Sequence, residues 1–175
     1  TSSASWSARY GHSALELSDG SLLLMGGYDG SYKNDVWVSH DGGVSWSLRL
    51  SSAGWSARAF FSSLLLSSGS LLVMGGCCVK NDVWRSLDSG SSWSELTSSA
   101  SWSARYGHSA LELSSGSLLL MGGHDGSDSR AATTISRRSL LASAAPVPAP
   151  KRRQAAIGAR ERSRRRGELA LRCLE

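Results

Sequence analysis

Apolar and polar positions alternate along this chain in short bursts set between glycines and serines. Leu15 and Leu17 alternate with Ala14 and Glu16, the period of a half-buried strand, here over residues 13–17. Asp19-Gly20 then reads as a turn dipeptide. Leu22-Leu23-Leu24-Met25 is apolar on both faces, as suits a strand covered on both sides. A helix does not fit, because Gly20 and the Gly26-Gly27 pair leave too few residues between them. Asp35-Val36-Trp37-Val38 makes a third strand. Trp46-Ser47-Leu48-Arg49-Leu50 makes a fourth, with Trp46, Leu48 and Leu50 on one face.

The unit recurs. Thr1 to Ser31 matches Thr97 to Ser127 at 29 of 31 positions, with only Asp19 opposite Ser115 and Tyr28 opposite His124 differing. A diverged copy lies between them. Trp6, Trp55 and Trp102 are 49 and 47 residues apart, and so are the Met-Gly-Gly triplets that begin at Met25, Met74 and Met121. Asn-Asp-Val-Trp starts at Asn34 and again at Asn81. A period near 48 accommodates four short strands and their turns, the size of one propeller blade. The middle copy departs in three places. Ala59-Phe60-Phe61 replaces Tyr-Gly-His, Cys77-Cys78-Val79-Lys80 replaces the longer Tyr28 to Lys33 loop, and Glu95 stands at the Leu48 position. All seven Trp lie between Trp6 and Trp102 at repeated positions, which marks them as packing residues rather than a ligand cage.

Two family resemblances meet in this unit. Arg9-Tyr10-Gly11-His12, Leu15, Asp19-Gly20, the Leu22 to Met25 strand, Gly26-Gly27 and Asn34-Asp35-Val36-Trp37 together resemble a kelch repeat. Ser39-His40-Asp41-Gly42-Gly43-Val44-Ser45-Trp46 resembles the sialidase Asp box, and Ser86 to Trp93 does so again in register with the period. The Asp box is a turn device: a carboxylate that accepts backbone N–H groups, a glycine at positive φ, and a packed Trp. The resemblance gives Asp41, Gly43, Trp46, Asp88, Gly90 and Trp93 structural roles. Both resemblances imply β-propeller blades over residues 1–127, divided at about 1–50, 51–96 and 97–127. The expected fold is all-β: a partial β-propeller of two full four-stranded blades plus half of a third. Closed propellers use about four to eight blades, and repeat arrays need roughly three units for stability. The chain, which starts at Thr1, therefore reads as a piece of a longer propeller or an incomplete gene model. Half a blade also leaves Leu118 to Met121 exposed, an aggregation-prone edge.

The composition changes after Ser127. Of 19 Lys and Arg, 12 lie beyond it with 4 acids, so this part carries +8 while the repeats carry −3. The high pI belongs to a basic appendage on a mildly acidic β domain. Residues 128–150 form a Ser/Ala/Pro-rich linker ending in Ala144-Ala145-Pro146-Val147-Pro148-Ala149-Pro150. Residues 151–175 form an Arg-rich tail, disordered or helical. Lys151, Arg152 and Arg153, then Arg164, Arg165 and Arg166 ten residues on, resemble a bipartite nuclear-import signal. A solvated basic segment and a nucleic-acid contact are the other readings. With no aromatic residue among the arginines, base stacking is unavailable. Nucleic acid is therefore not favoured, and only the tail could bind it. No apolar run is long enough to span a membrane.

Candidate chemistry is thin. Cys77 and Cys78 are adjacent and Cys173 stands alone, which makes neither a disulfide framework nor a zinc site and mildly favours a reducing, intracellular setting in cytoplasm or nucleus. His12 and His108 are equivalent, but Phe61 breaks any ring of ligands in the middle copy. Arg9, Arg58 and Arg105 resemble a sialidase carboxylate clamp in number. All three share the context Trp-Ser-Ala-Arg, however, and so follow the repeat. No catalytic residue, cofactor or metal ligand is nominated. The leading expectation is a non-catalytic protein–protein interaction module. Its contact loop would be the variable stretch carrying Tyr28, Asp29, Tyr32 and Lys33. The alternatives are a sialidase-like glycosidase or carbohydrate-binding propeller, and a fragment without independent function. Open blade edges also allow homo-oligomers.

Overall fold

The computed structural model describes residues 4–78, 80–126 and 132–135. Every regular element among them is a strand. Sheet 1 comprises β1 (Ser13–Glu16), β2 (Leu22–Tyr28), β3 (Tyr32–Ser39) and β4 (Ser47–Leu50) in sequence order. Sheet 2 comprises β5 (Ser62–Leu65), β6 (Leu71–Gly76), β7 (Lys80–Ser86) and β8 (Ser94–Thr97), again in order. Sheet 3 comprises β9 (Ser109–Glu112), β10 (Leu118–Met121) and β11 (Ala132–Ile135). All pairings are antiparallel. The fold is therefore all-β and propeller-like: β1 lies beside β5, and β5 beside β9. Among the described residues no helix is long and apolar enough to cross a membrane.

The sheets stack face to face, each with a front and a rear. The rear of sheet 1, with Leu17, Leu23, Met25, Val36 and Val38, packs on the front of sheet 2, with Ala53, Trp55, Phe61, Leu71 and Val73. The rear of sheet 2, with Leu66, Leu72, Met74, Val83 and Leu96, packs on Trp102, Leu118 and Leu120 of sheet 3. In sheet 2 this is why β6 is apolar on both faces: Leu71 and Val73 enter one core, and Leu72 and Met74 the other. Fully burying one such side chain is worth roughly 1.5–3 kcal/mol.

The Gly-Gly doublets have a steric cause. A Cβ on Gly26 would lie 2.9 Å from the Arg58 carbonyl oxygen, and one on Gly75 would lie 2.9 Å from that of Arg105. Register shifts at both doublets, and the next sheet's backbone closes in. Gly27 donates to the Arg58 carbonyl and Gly76 to the Arg105 carbonyl, each at 2.9 Å.

Three expectations change. β10 is the central strand of its sheet rather than an edge, and Leu118 and Leu120 are buried; only Leu119 and Met121 of that stretch stay half-buried. The third unit also has one more strand than the half blade expected. β11 lies in the stretch read as linker, where Ala-Thr-Thr-Ile supplies β-branched residues but no repeat signature. Finally, a register shift between Val36 and Trp37 pairs Leu50 with Val36 and Leu48 with Trp37, so Leu48 and Leu50 do not share a face: Leu50 packs against the core while Leu48 is 49% exposed. Glu95, which replaces it in sheet 2, is exposed too. The Arg-rich tail, with Lys151, Arg152, Arg153, Arg164, Arg165 and Arg166, lies outside the described residues.

Candidate binding face

The repeated arginines brace the sheets from inside. The Arg9 guanidinium donates to the Gly26 carbonyl at 2.9 Å and to both Asp35 carboxylate oxygens at 2.7 and 3.0 Å. The Trp37 indole N–H completes the Asp35 site at 2.8 Å. Arg58 repeats the arrangement with Gly75, Asp82 and Trp84. Burial pushes the Asp82 carboxyl up, but the hydrogen bonds and charge of Arg58 and the Trp84 N–H outweigh it and leave the group below its ordinary range. Arg105 has no Asn-Asp-Val-Trp partner in its unit. It pairs with Gly122 at 2.6 Å and Asp125 at 3.4 Å. All three guanidinium groups are buried and committed to their own units, so none points out to clamp a substrate carboxylate.

The two turns at Asp41 and Asp88 are built alike. Asp41 accepts from the Ser39 hydroxyl and Ser45 N–H at 2.8 Å each, and from the Ser45 hydroxyl at 2.5 Å. The Ser45 hydroxyl, then its N–H, hold the Asp41 carboxyl down at about 2. Asp88 takes the same bonds from Ser86 and Ser92. Gly43 and Gly90 sit at φ of 90° and 86°. Trp46 meets Trp6 edge-on at 6.1 Å, and Trp93 meets Trp55 at the same distance. These side chains are spent on the turn. Gly90 is in addition pressed against sheet 1, where an added Cβ would lie 3.0 Å from Leu23.

The outward chemistry gathers at one end. Tyr10 and Tyr28 are joined by a two-way backbone bridge, as are Tyr106 and His124. Their rings form a continuous row across all three sheets. Tyr32 meets Tyr28 edge-on at 5.0 Å, and tilted contacts join Tyr28 to Tyr10 at 5.4 Å, Tyr10 to Phe60 at 5.9 Å, Phe60 to Tyr106 at 6.4 Å and Tyr106 to His124 at 5.3 Å. Tyr10, Tyr32 and Phe60 are 59%, 44% and 42% exposed. Phe60 is the hinge of the row. It stands where the other copies have Gly11 and Gly107, at φ 56° against their 63° and 66°. Its N–H donates to the Gly11 carbonyl and its own carbonyl accepts from Gly107, each at 2.7 Å. A bulky residue in this left-handed region is strained by roughly 1–2 kcal/mol.

Of the expected contact loop, Tyr28 and Tyr32 enter this row. Asp29 and Lys33 pair with each other at 3.1 Å instead. Hydrogen bonds from Ser7 and Lys33 hold the Asp29 carboxyl far below its usual range. The structure thus separates an aromatic half of the loop from a half that fastens it. Cys77 is buried under the row and accepts the Ala59 N–H at 3.1 Å, while Cys78 is exposed at φ 65°. Sequence reasoning passed over Phe60 as a break in the pattern. The signal lay in the repeat itself, which puts a phenylalanine where two copies require glycine. Among the described residues no three His, Cys, Asp or Glu side chains converge to hold a metal ion.

No protein-family model matches the sequence, and no curated protein matches it either. Among solved structures, the chain resembles a fungal alcohol oxidase of the AA5 family in complex with copper, with a TM-score of 0.54 at 16% identity. The likeness covers 76% of this chain and 30% of that one, so the chain spans less than a third of that protein's length. At this identity what the two share is fold.

Proposed function

We propose that the three sheets are blades of a kelch-like propeller with Asp-box turns, two of them four-stranded and the third incomplete. In this reading the chain is a non-catalytic protein–protein interaction module, and its partner docks on the aromatic row. The row itself carries the reading: six rings from three sheets, four exposed and two half-buried, form one surface around a strained Phe60. Aromatic side chains are large, rigid and amphipathic, and they anchor interfaces at low entropic cost. Backbone strain held at a residue with an exposed side chain points to use at that place rather than to packing. The neutral character of the row also fits: the nearby arginines are neutralised below it.

The test is comparative capture with the full chain, the Phe60→Gly variant and the Leu48→Glu variant. The reading expects a protein retained by the parent and by Leu48→Glu but lost from Phe60→Gly, whose backbone the other copies already adopt. Identical capture by all three overturns it. A glycan array and a sialoside cleavage assay run on the same proteins decide the rival. A glycan bound by the parent and lost in Phe60→Gly would make the row a carbohydrate site, and sialoside turnover would make the chain an enzyme.

A further inference from the structure

The junction between neighbouring sheets is built twice in this chain from the same parts. Behind the apolar contacts runs a repeated polar frame. Arg58 N–H donates to the Lys33 carbonyl at 2.9 Å, and Arg105 N–H donates to the Lys80 carbonyl at 3.0 Å. The Asn34 amide donates to the Ala53 and Trp55 carbonyls, and the Asn81 amide to those of Ala100 and Trp102. A front face and a rear face therefore recognise each other by a fixed pattern.

Among the described residues, both halves of that pattern also occur with no sheet packed on them. On the front of sheet 1, Trp6, Leu22 and Leu24 stand where sheet 3 has Trp102, Leu118 and Leu120. Trp6 and Leu22 are half-buried, whereas Trp102 and Leu118 are buried against sheet 2; Leu24, like Leu120, is buried. On the rear of sheet 3, Leu113, Leu119 and Met121 are half-buried, whereas their counterparts Leu17, Leu23 and Met25 are buried against sheet 2. Each open surface thus has a sequence twin already seated in a completed junction.

We propose that a second copy of this chain covers these faces, the front of sheet 1 in one chain docking on the rear of sheet 3 in the other. Such a head-to-tail contact closes into a ring if the rotation allows and otherwise extends as an open chain. Two copies bring together six sheets, within the roughly four to eight of closed propellers. Leu22 and Met121, which the test below substitutes, are not among the rings of the aromatic row.

Sedimentation velocity on the full chain over roughly 1–100 µM, a range that spans moderate affinities, tests this. Association is expected in the parent. Leu22→Lys on the front and Met121→Lys on the rear should each weaken it on the order of a hundredfold, by placing an unpaired ammonium in an apolar contact. Mixing the two variants should restore a complex, because the Met121→Lys chain keeps an intact front and the Leu22→Lys chain an intact rear. Leu48→Lys on the outer strand β4 should leave association unchanged. In the parent alone, the titration of the His12 ring should move toward that of His108 as the complex forms. A parent that stays monomeric, association that survives both face variants, loss through Leu48→Lys alone, or an unmoved His12 in an associated sample would each overturn the proposal.

Discussion

Sheets 1 and 3 begin from nearly the same sequence and end in different surroundings. His12 and His108 occupy identical contexts, yet His12 is exposed beside Trp6 while His108 is buried. Neither ring nitrogen of His108 meets a partner among the described residues. Burial, with the Arg105 charge adding to it, drops the His108 pKa to about 4. Burial and the Arg9 charge likewise lower His12, and a hydrogen bond from its ring to the Arg9 backbone opposes them. The difference lies in what packs on the front of each sheet. The rear of sheet 2 covers sheet 3, whereas sheet 1 meets no sheet on that side among the described residues. In this fold a residue's environment is set by the neighbouring copy, and the strand it stands on supplies only the address.

The largest expected difference between the twins is at tryptophan. Trp102→Ala should lower the unfolding free energy by roughly 3–5 kcal/mol, and Trp6→Ala by about half as much; urea midpoints compare them. Equal losses would break the comparison.

Histidine comes next. Phe61 fills the equivalent place in sheet 2, so His108→Phe should stabilise by about 1–2 kcal/mol near neutral pH by removing unpartnered buried nitrogens. His12→Phe should do little. The sign of the pH effect follows from the lowered pKa. The folded chain holds His108 neutral, so its contribution is full above about 6.5 and is lost as pH falls toward about 4. Thermal melts across that window should show the slope in the parent and less of it in His108→Phe.

Phe60→Gly should change stability by less than about 1 kcal/mol, since relief of left-handed strain is offset by the freedom glycine gains when unfolded. A large loss would make Phe60 a packing residue like Phe61 and sharpen the contrast between the two. Smallest of all, Leu48→Glu should stay within about 0.5 kcal/mol, as at an exposed outer-strand site.

The strands of sheets 1 and 2 and their order were legible in the sequence because the repeated unit carries its own markers. Period-2 alternation marks β1, the doubly apolar run marks β2, and Asn-Asp-Val-Trp marks β3. The Gly-Gly doublet could be read as punctuation, but its cause could not: the close approach comes from the Arg58 carbonyl of the next sheet. β11 was hidden because it repeats nothing. The aromatic row was half visible. Tyr28 and Tyr32 were found by loop variability, but Phe60 was not, because its meaning depends on a backbone angle shared with Gly11 and Gly107. Arginine chemistry was legible only as repetition, and the half-buried Asp35 and Asp82 partners complete it.

The most direct test of the stacking account is a titration of the two histidine rings by NMR in dilute, monomeric protein. The account predicts two separate curves, with His108 titrating near 4 and its twin His12 at higher pH. Coincident curves would contradict it, because they would mean that near-identical sequence, rather than the docked neighbour, sets the environment of these faces.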